Sequence, residues 1–136
     1  MFDRSVRVMD STLRDGSHAK AHQFTSEQVA AVVAGLDAAG VGVIEVSHGD
    51  GLGGSSYQYG FSKEPEENLL VAAQGAIKNA KLAVLLIPGI GTAEDLEMAH
   101  GHGVSIARIC THVTEADICE QHIQMEIGRA SCRERV

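Results

Sequence analysis

The order of apolar runs, polar loops and helical stripes predicts an α/β fold made of four βα units, a partial TIM (β/α)8 barrel. Three observations lead there. A short apolar run is followed four times by a loop and then by a helix-like stretch, the order expected of a parallel sheet. A closed barrel takes eight such units and roughly 250 residues, so this 136-residue chain holds half of one. The polar, glycine-rich stretches follow the strand ends: "STLRDGSHA", "SHGDGLGGSSYQYGF", "PGIGT" and "THVTEAD". Active sites of barrels are built from those loops. An open flavodoxin-like sheet of about five strands is the structural alternative.

Strands are expected at 6–10, 41–47, 82–87 and 105–111. "LAVLLI" in the third is apolar on both faces, as strands covered on both sides tend to be. The first helix has a capping box in Thr25 and Gln28, a staple from Phe24 to Val29, an apolar stripe at Val29, Val32, Val33 and Leu36, and a stop at Gly40. The second opens near Pro65, with Glu66 and Glu67 at the positive end of its dipole and Leu69, Leu70, Ala73 and Ile77 turned inward. The third starts at Thr92, with Glu94 and Asp95 in its first turn, and stops before Gly103. A fourth is expected from Thr114, with Glu115 and Asp117 placed in the same way.

With 44% hydrophobic residues the chain can build a real core, and its formal charge is −7. Basic residues form no cluster and only five aromatics occur, so the footprint of a nucleic-acid binder is missing. No apolar run approaches the roughly 20 residues that span a bilayer, and MFDRSVRVMD has no signal-peptide core. The expectation is a soluble, cytoplasmic protein with no membrane partner. Cys110, Cys119 and Cys132 show no paired spacing, which favours buried or incidental thiols over a disulfide frame or a zinc site.

From residue 126 the text changes character. "EIGRASCRERV" has three arginines, no helical stripe and no strand alternation, and it resembles the in-frame translation of a common sequencing-library adapter. Residues 126–136 are therefore set apart as a non-native tail, and residues 1–125 as the N-terminal half of a barrel domain. That body carries 8 basic and 16 acidic residues, a charge of −8.

In "STLRDGSHA", Arg14, Asp15 and His18 offer a cation clamp, a metal ligand and a proton acceptor. Each also has a plainer reading, as a surface ion pair, a turn residue before glycine and an ordinary histidine. "TLRDGSHA", "IEVSHGDGLGGSS", "YGF", "LLIPGIGT" and "THVTEAD" together resemble the 4-hydroxy-2-oxovalerate aldolases of the DRE-TIM metallolyase group, over residues 5–125. Acyl-CoA lyases and synthases of that group share "TLRDG" but usually continue with Glu-Gln where this chain has Ser17 and His18, and they lack "HGDGL".

The resemblance implies a (β/α)8 barrel with an additional helical C-terminal region, which cleaves a 4-hydroxy-2-keto acid and associates with an acylating aldehyde dehydrogenase. It implies Asp15 as a ligand to manganese or another divalent metal, a hard oxygen donor suited to such an ion. Arg14 falls on the arginine at the substrate's keto oxygen, His18 on the base that takes the 4-hydroxyl proton, and Glu45 on a buried carboxylate that orients Arg14. Arg14, Asp15 and His48 are thereby expected to contact substrate, with Asp50 beside them. The family's two further ligands, histidines one residue apart on a later strand, have no counterpart in residues 113–136. His100 and His102 have the spacing but fall near the end of the third helix. The expectation is a fragment inactive by itself, which self-associates through unpaired strand edges beside Val8, Val46, Leu86 and Ile109 and through an uncovered inner sheet face. "PGIGT" is a weak phosphate-nest candidate, and His112 with Glu115 and Asp117 is explained more simply by helix capping.

Overall fold

In the computed structural model, which describes residues 6–129, Thr25 opens the first helix, α1 (Ser26–Ala38), through a complete capping box. Its hydroxyl accepts from the Gln28 amide at 3.2 Å, and the Gln28 side chain accepts from the Thr25 amide at 3.2 Å. Two otherwise orphaned N–H groups are satisfied in this way. Gly40, at φ +84°, takes the left-handed turn that ends the segment. α2 (Glu66–Ala76) begins after Pro65, and α3 (Ala93–Gly101) has a second capping box between Thr92 and Asp95.

Four parallel strands, β1 (Met9–Asp10), β2 (Val43–Glu45), β3 (Lys81–Leu86) and β4 (Val104–Ile109), form one sheet in the order β1-β2-β3-β4. Strands that neighbour each other in chain order are the arrangement of a barrel wall. A flavodoxin-like sheet would reverse order at its switch point. Ile44, Val46, Leu82, Val84 and Leu86 pack with Val29, Val33, Leu70, Ala73 and Leu96 in one core beneath the helices.

The sheet is shorter at its start than the sequence suggests. The first strand keeps only two of the five residues at 6–10, because its one neighbour, β2, is itself three residues long. Val6 and Val8 are exposed. "STLRDGSHA" is not wholly loop, since Asp15–Lys20 forms a 3-10 helix. The fourth helix starts later than Thr114: Val113–Ile118 is a second 3-10 helix with Glu115 off helical geometry, and α4 occupies Cys119–Arg129. α4 thus runs through 126–129, where no helical stripe was expected, and residues 130–136 lie outside the described residues.

Val46 and Leu86 are not exposed beside a strand edge. Both face the helices and are fully buried, while Val8 is exposed and Ile109 half-buried. The inner face is not bare either: Ala83 and Leu85 are buried, and the loop after β2 reaches over Leu85, whose carbonyl accepts from the Leu52 amide at 2.8 Å. Cys110 is exposed and Cys119 half-buried, both free thiols.

β3 and β4 change register once. Leu82 pairs with Val104, but Ala83 pairs with Ile106, so Ser105 is an extra residue on β4. Beyond this bulge Ala107 and Ile109 join the helix-side core, and Arg108, opposite Leu85, falls on the other face.

Asp37, in the last turn of α1, is buried and accepts from the amides of Lys78, Asn79 and Ala80 at 3.3, 2.9 and 2.6 Å. These donors, Ala80 and Asn79 foremost, hold its carboxyl below the ordinary value of 3.8. A depressed carboxylate contributes stability that is present above the unfolded pKa and lost as pH falls through the folded one. Asp37→Ala is therefore expected to lower the melting temperature by several degrees at pH 7, with the gap to the parent narrowing below about pH 4. A gap independent of pH would show that the charge contributes nothing.

Candidate active site

The alternation that sends Ile44 and Val46 toward the helices sends Glu45 to the opposite face of the sheet. Its side chain is 0% exposed, and an unpaired carboxylate there would be costly. Three N–H groups from two arginines compensate it. Arg14 Nε donates to Oε2 at 2.8 Å, Arg108 Nε to Oε1 at 2.6 Å, and Arg108 Nη2 to Oε2 at 3.0 Å. Glu45 in turn holds the Arg108 guanidinium above its ordinary pKa.

Arg14 reaches this carboxylate because the chain turns sharply after β1, its amide and that of Gly16 both bonding the Ser11 carbonyl. Its Nη1 donates to Asp15 Oδ1 at 3.0 Å and to the Gly49 carbonyl at 3.4 Å. The arginine side chain is 14% exposed, whereas that of Asp15 is 67% exposed and opens to solvent. His18, three residues on, is exposed on the same 3-10 helix. The structure thus groups Arg14, Asp15, His18 and Glu45 at the C-terminal ends of the strands.

Beneath His18 lies a stack of imidazoles. The His18 and His22 rings meet edge to face with centroids 5.1 Å apart, and His22 stacks on His48 at 3.7 Å. Ala21 and His22 both have positive φ, 51° and 59°, a costly pair of conformations outside glycine. Bonds on both sides hold them: the His22 amide donates to the Ser17 carbonyl at 2.8 Å, and the Lys63 amide to the His22 carbonyl at 3.0 Å. His48 is 2% exposed. Its Nδ1 accepts from the Asp50 amide at 3.1 Å, which leaves Nε2 to donate to the Gly60 carbonyl at 3.0 Å. Burial first, and the neighbouring imidazoles second, lower the pKa of both His22 and His48 and favour their neutral forms.

The loop after β2 is pinned from below by Glu66, which accepts from the His48 and Gly53 amides at 3.0 Å each. Burial pushes the Glu66 pKa up against the opposing effect of those two bonds. Glycine is required at residue 49, where a Cβ would sit 2.6 Å from His18 Nε2 and 2.7 Å from His22 Cε1. At Gly51, with φ +85°, a Cβ would lie 2.7 Å from the Leu85 carbonyl oxygen.

His18, His22 and Asp50 bring ligand atoms within 4.8 Å of one another, the single such group among the described residues. Asp15 lies outside it. His22 is a poor donor for an ion there, because its Nδ1 already meets Ser17 Oγ at 3.1 Å and the Gly49 amide at 3.4 Å. Asp15 fits a hard divalent ion as a single exposed oxygen donor. The "PGIGT" loop offers no open phosphate nest, since the Ile90 and Gly91 amides bond the Ile87 carbonyl and the Thr92 amide bonds Asp95.

A family model described as HMGL-like matches residues 5–133. The chain belongs to the HMGL-like family. This HMGL-like chain is 63% identical over 125 residues to a 4-hydroxy-2-oxovalerate aldolase of Moorella thermoacetica, covering 92% of this chain and 37% of the relative. It is 61% identical over 127 residues to the 4-hydroxy-2-oxovalerate aldolase of Carboxydothermus hydrogenoformans, covering 92% and 38%. A 4-hydroxy-2-oxohexanoate aldolase of Mycobacterium tuberculosis is 59% identical over 125 residues, covering 90% and 36%. The HMGL-like chain therefore spans a little over a third of the length of the curated relatives it matches.

Two residues of the site were missed by sequence reasoning. His22 stands four residues after His18, a spacing of about one helical turn that gave a hint. Arg108 is a charge inside the apolar run "SIARIC", a signal that could have found it.

Proposed function

We propose that this chain carries part of the active site of a divalent-metal-dependent aldolase that cleaves 4-hydroxy-2-oxopentanoate to pyruvate and acetaldehyde. The observation that carries this reading is the Arg14 guanidinium, held by a buried Glu45 at the strand ends with an open carboxylate and an exposed imidazole beside it. In the retro-aldol step His18 takes the proton of the 4-hydroxyl, the bond between C3 and C4 breaks, and its electron pair passes into the pyruvate enolate. Arg14 stabilises the negative charge that develops on the keto oxygen. Asp15 supplies one oxygen to a manganese or similar ion, whose chemistry when bound is Lewis-acid polarisation of the 2-keto acid. His48, buried with both ring nitrogens engaged, acts by supporting His22. In the whole protein an acylating aldehyde dehydrogenase would take up the aldehyde.

The test is release of pyruvate from 4-hydroxy-2-oxopentanoate with added manganese. The 136-residue chain is expected to release none above a metal-free control, because Asp15 alone cannot hold the ion. A version completed to the length of the relatives is expected to turn over. Silence of the completed version would overturn the aldolase reading, and turnover by the short chain would overturn the argument from ligand number. Residues 126–136 are proposed to be non-native, so the completed version expected to turn over is one that carries the relatives' sequence from residue 126 onward.

β1 and β4 each have an edge with no strand against it among the described residues, an arrangement that templates pairing with another chain. With the inner face largely covered, these edges are what promote self-association. The chain is expected to sediment as dimers or larger species at micromolar concentration. A compact monomer with a cooperative thermal transition would refute this.

A further inference from the structure

We infer that Arg108 is a second positioning residue of this site, holding Glu45 so that Glu45 can aim Arg14. Arg108 lies on β4 and Glu45 on β2, with β3 between them. Had β4 kept the register set by Leu82 and Val104, Arg108 would have paired with Leu86 and pointed into the apolar core beneath the helices. The extra residue at Ser105 shifts the pairing to Ala83 with Ile106 and Leu85 with Arg108. That shift turns the arginine onto the face where Glu45 lies. A bulge that re-aims one side chain next to a functional site is a familiar use of this irregularity, and here its product is a two-point fork on a carboxylate.

The fork constrains both oxygens of Glu45. Arg108 Nε takes Oε1 and Nη2 takes Oε2, which fixes the plane of the carboxylate. Arg14 then adds its Nε to Oε2, the oxygen it shares with Arg108 Nη2. With Nε so held, the guanidinium meets Asp15 and the Gly49 carbonyl through Nη1. A carboxylate held by Arg14 alone could rotate about its last bond and carry the guanidinium with it. Arg108 removes that freedom through its bonds to Glu45, without a hydrogen bond to Asp15 or His18 among the described residues. The aldolase reading enters only in what Arg14 does once positioned; the restraint itself is a property of this chain.

The test follows the Arg14 Nε–H proton by nuclear magnetic resonance in the isotopically labelled 136-residue chain, so no turnover is needed and failure of the aldolase reading would leave it intact. In Arg108→Met, exchange of this proton with water is expected to speed up about tenfold, on the scale of a weakened charge-assisted hydrogen bond. Amides of β2 and β3 are the reference: they should stay protected, and the loss there, set by the overall change in stability, should be smaller than the loss at Arg14 Nε–H. Arg108→Lys keeps a cation but loses the fork, and is expected to fall between parent and methionine variant. If Arg108→Met also loses the sheet amides, the lysine variant decides by the same signal. Exchange at the parent's rate in a folded variant of either kind would overturn the proposal.

Discussion

Replacing Arg14 by lysine, in a chain completed to the length of the relatives, is expected to lower pyruvate release by about 10²–10³, the usual cost of losing one preorganised donor to a developing oxyanion. The present geometry shows why charge alone is not enough. Arg14 uses Nε on Glu45 and Nη1 on Asp15 and Gly49, so one planar group is braced at one end and presented at the other. A lysine has a single nitrogen. Bound to Glu45 it cannot reach a keto oxygen, and extended toward substrate it leaves the buried carboxylate with Arg108 alone. The loss should appear in kcat, because the contact strengthens as charge develops. The pH profile should keep its shape, since His18 remains. Steady-state kinetics across pH check both points, and near-normal turnover would mean that Arg14 is only structural.

What the sequence disclosed follows the range of the forces involved. The capping box at Thr25, the helix start at Thr92 and the turn at Gly40 depend on a few adjacent residues, and they are present as read. The helix-side core follows from periodicity that a single strand or helix carries by itself. β1 is short because its length is set by a partner more than 30 residues away, which local pattern does not encode. α4 begins late because residues 113–118 take 3-10 geometry, a close competitor of the α-helix over a single turn. The site divides in the same way. Arg14, Asp15 and His18 share one turn of chain, and the motif named them. His22 depends on two consecutive positive φ angles, and Arg108 on one extra residue in β4. The first is held by backbone bonds to Ser17 and Lys63, and the second is placed only by the register of the sheet.

A larger thermodynamic effect is expected at the same carboxylate. Arg14→Met or Arg108→Met alone leaves Glu45 with one guanidinium, and each is expected to cost about 1–2 kcal/mol, the net value of a hydrogen bond to a charged group. Arg108 should sit at the lower end, because its side chain is 40% exposed and its fork is partly screened by water. The double variant leaves a carboxylate with 0% exposure and no cation. Breaking a buried pair in that way costs about 3–5 kcal/mol, so the loss in the double variant should exceed the sum of the two single losses. Urea unfolding at fixed protein concentration would measure the coupling in a double-mutant cycle, and additivity within about 0.5 kcal/mol would count against it. Adding Glu45→Met to the double variant should then recover much of the lost stability, because an apolar side chain of similar length removes the stranded charge. Recovery would show that the two arginines stabilise this chain by compensating Glu45.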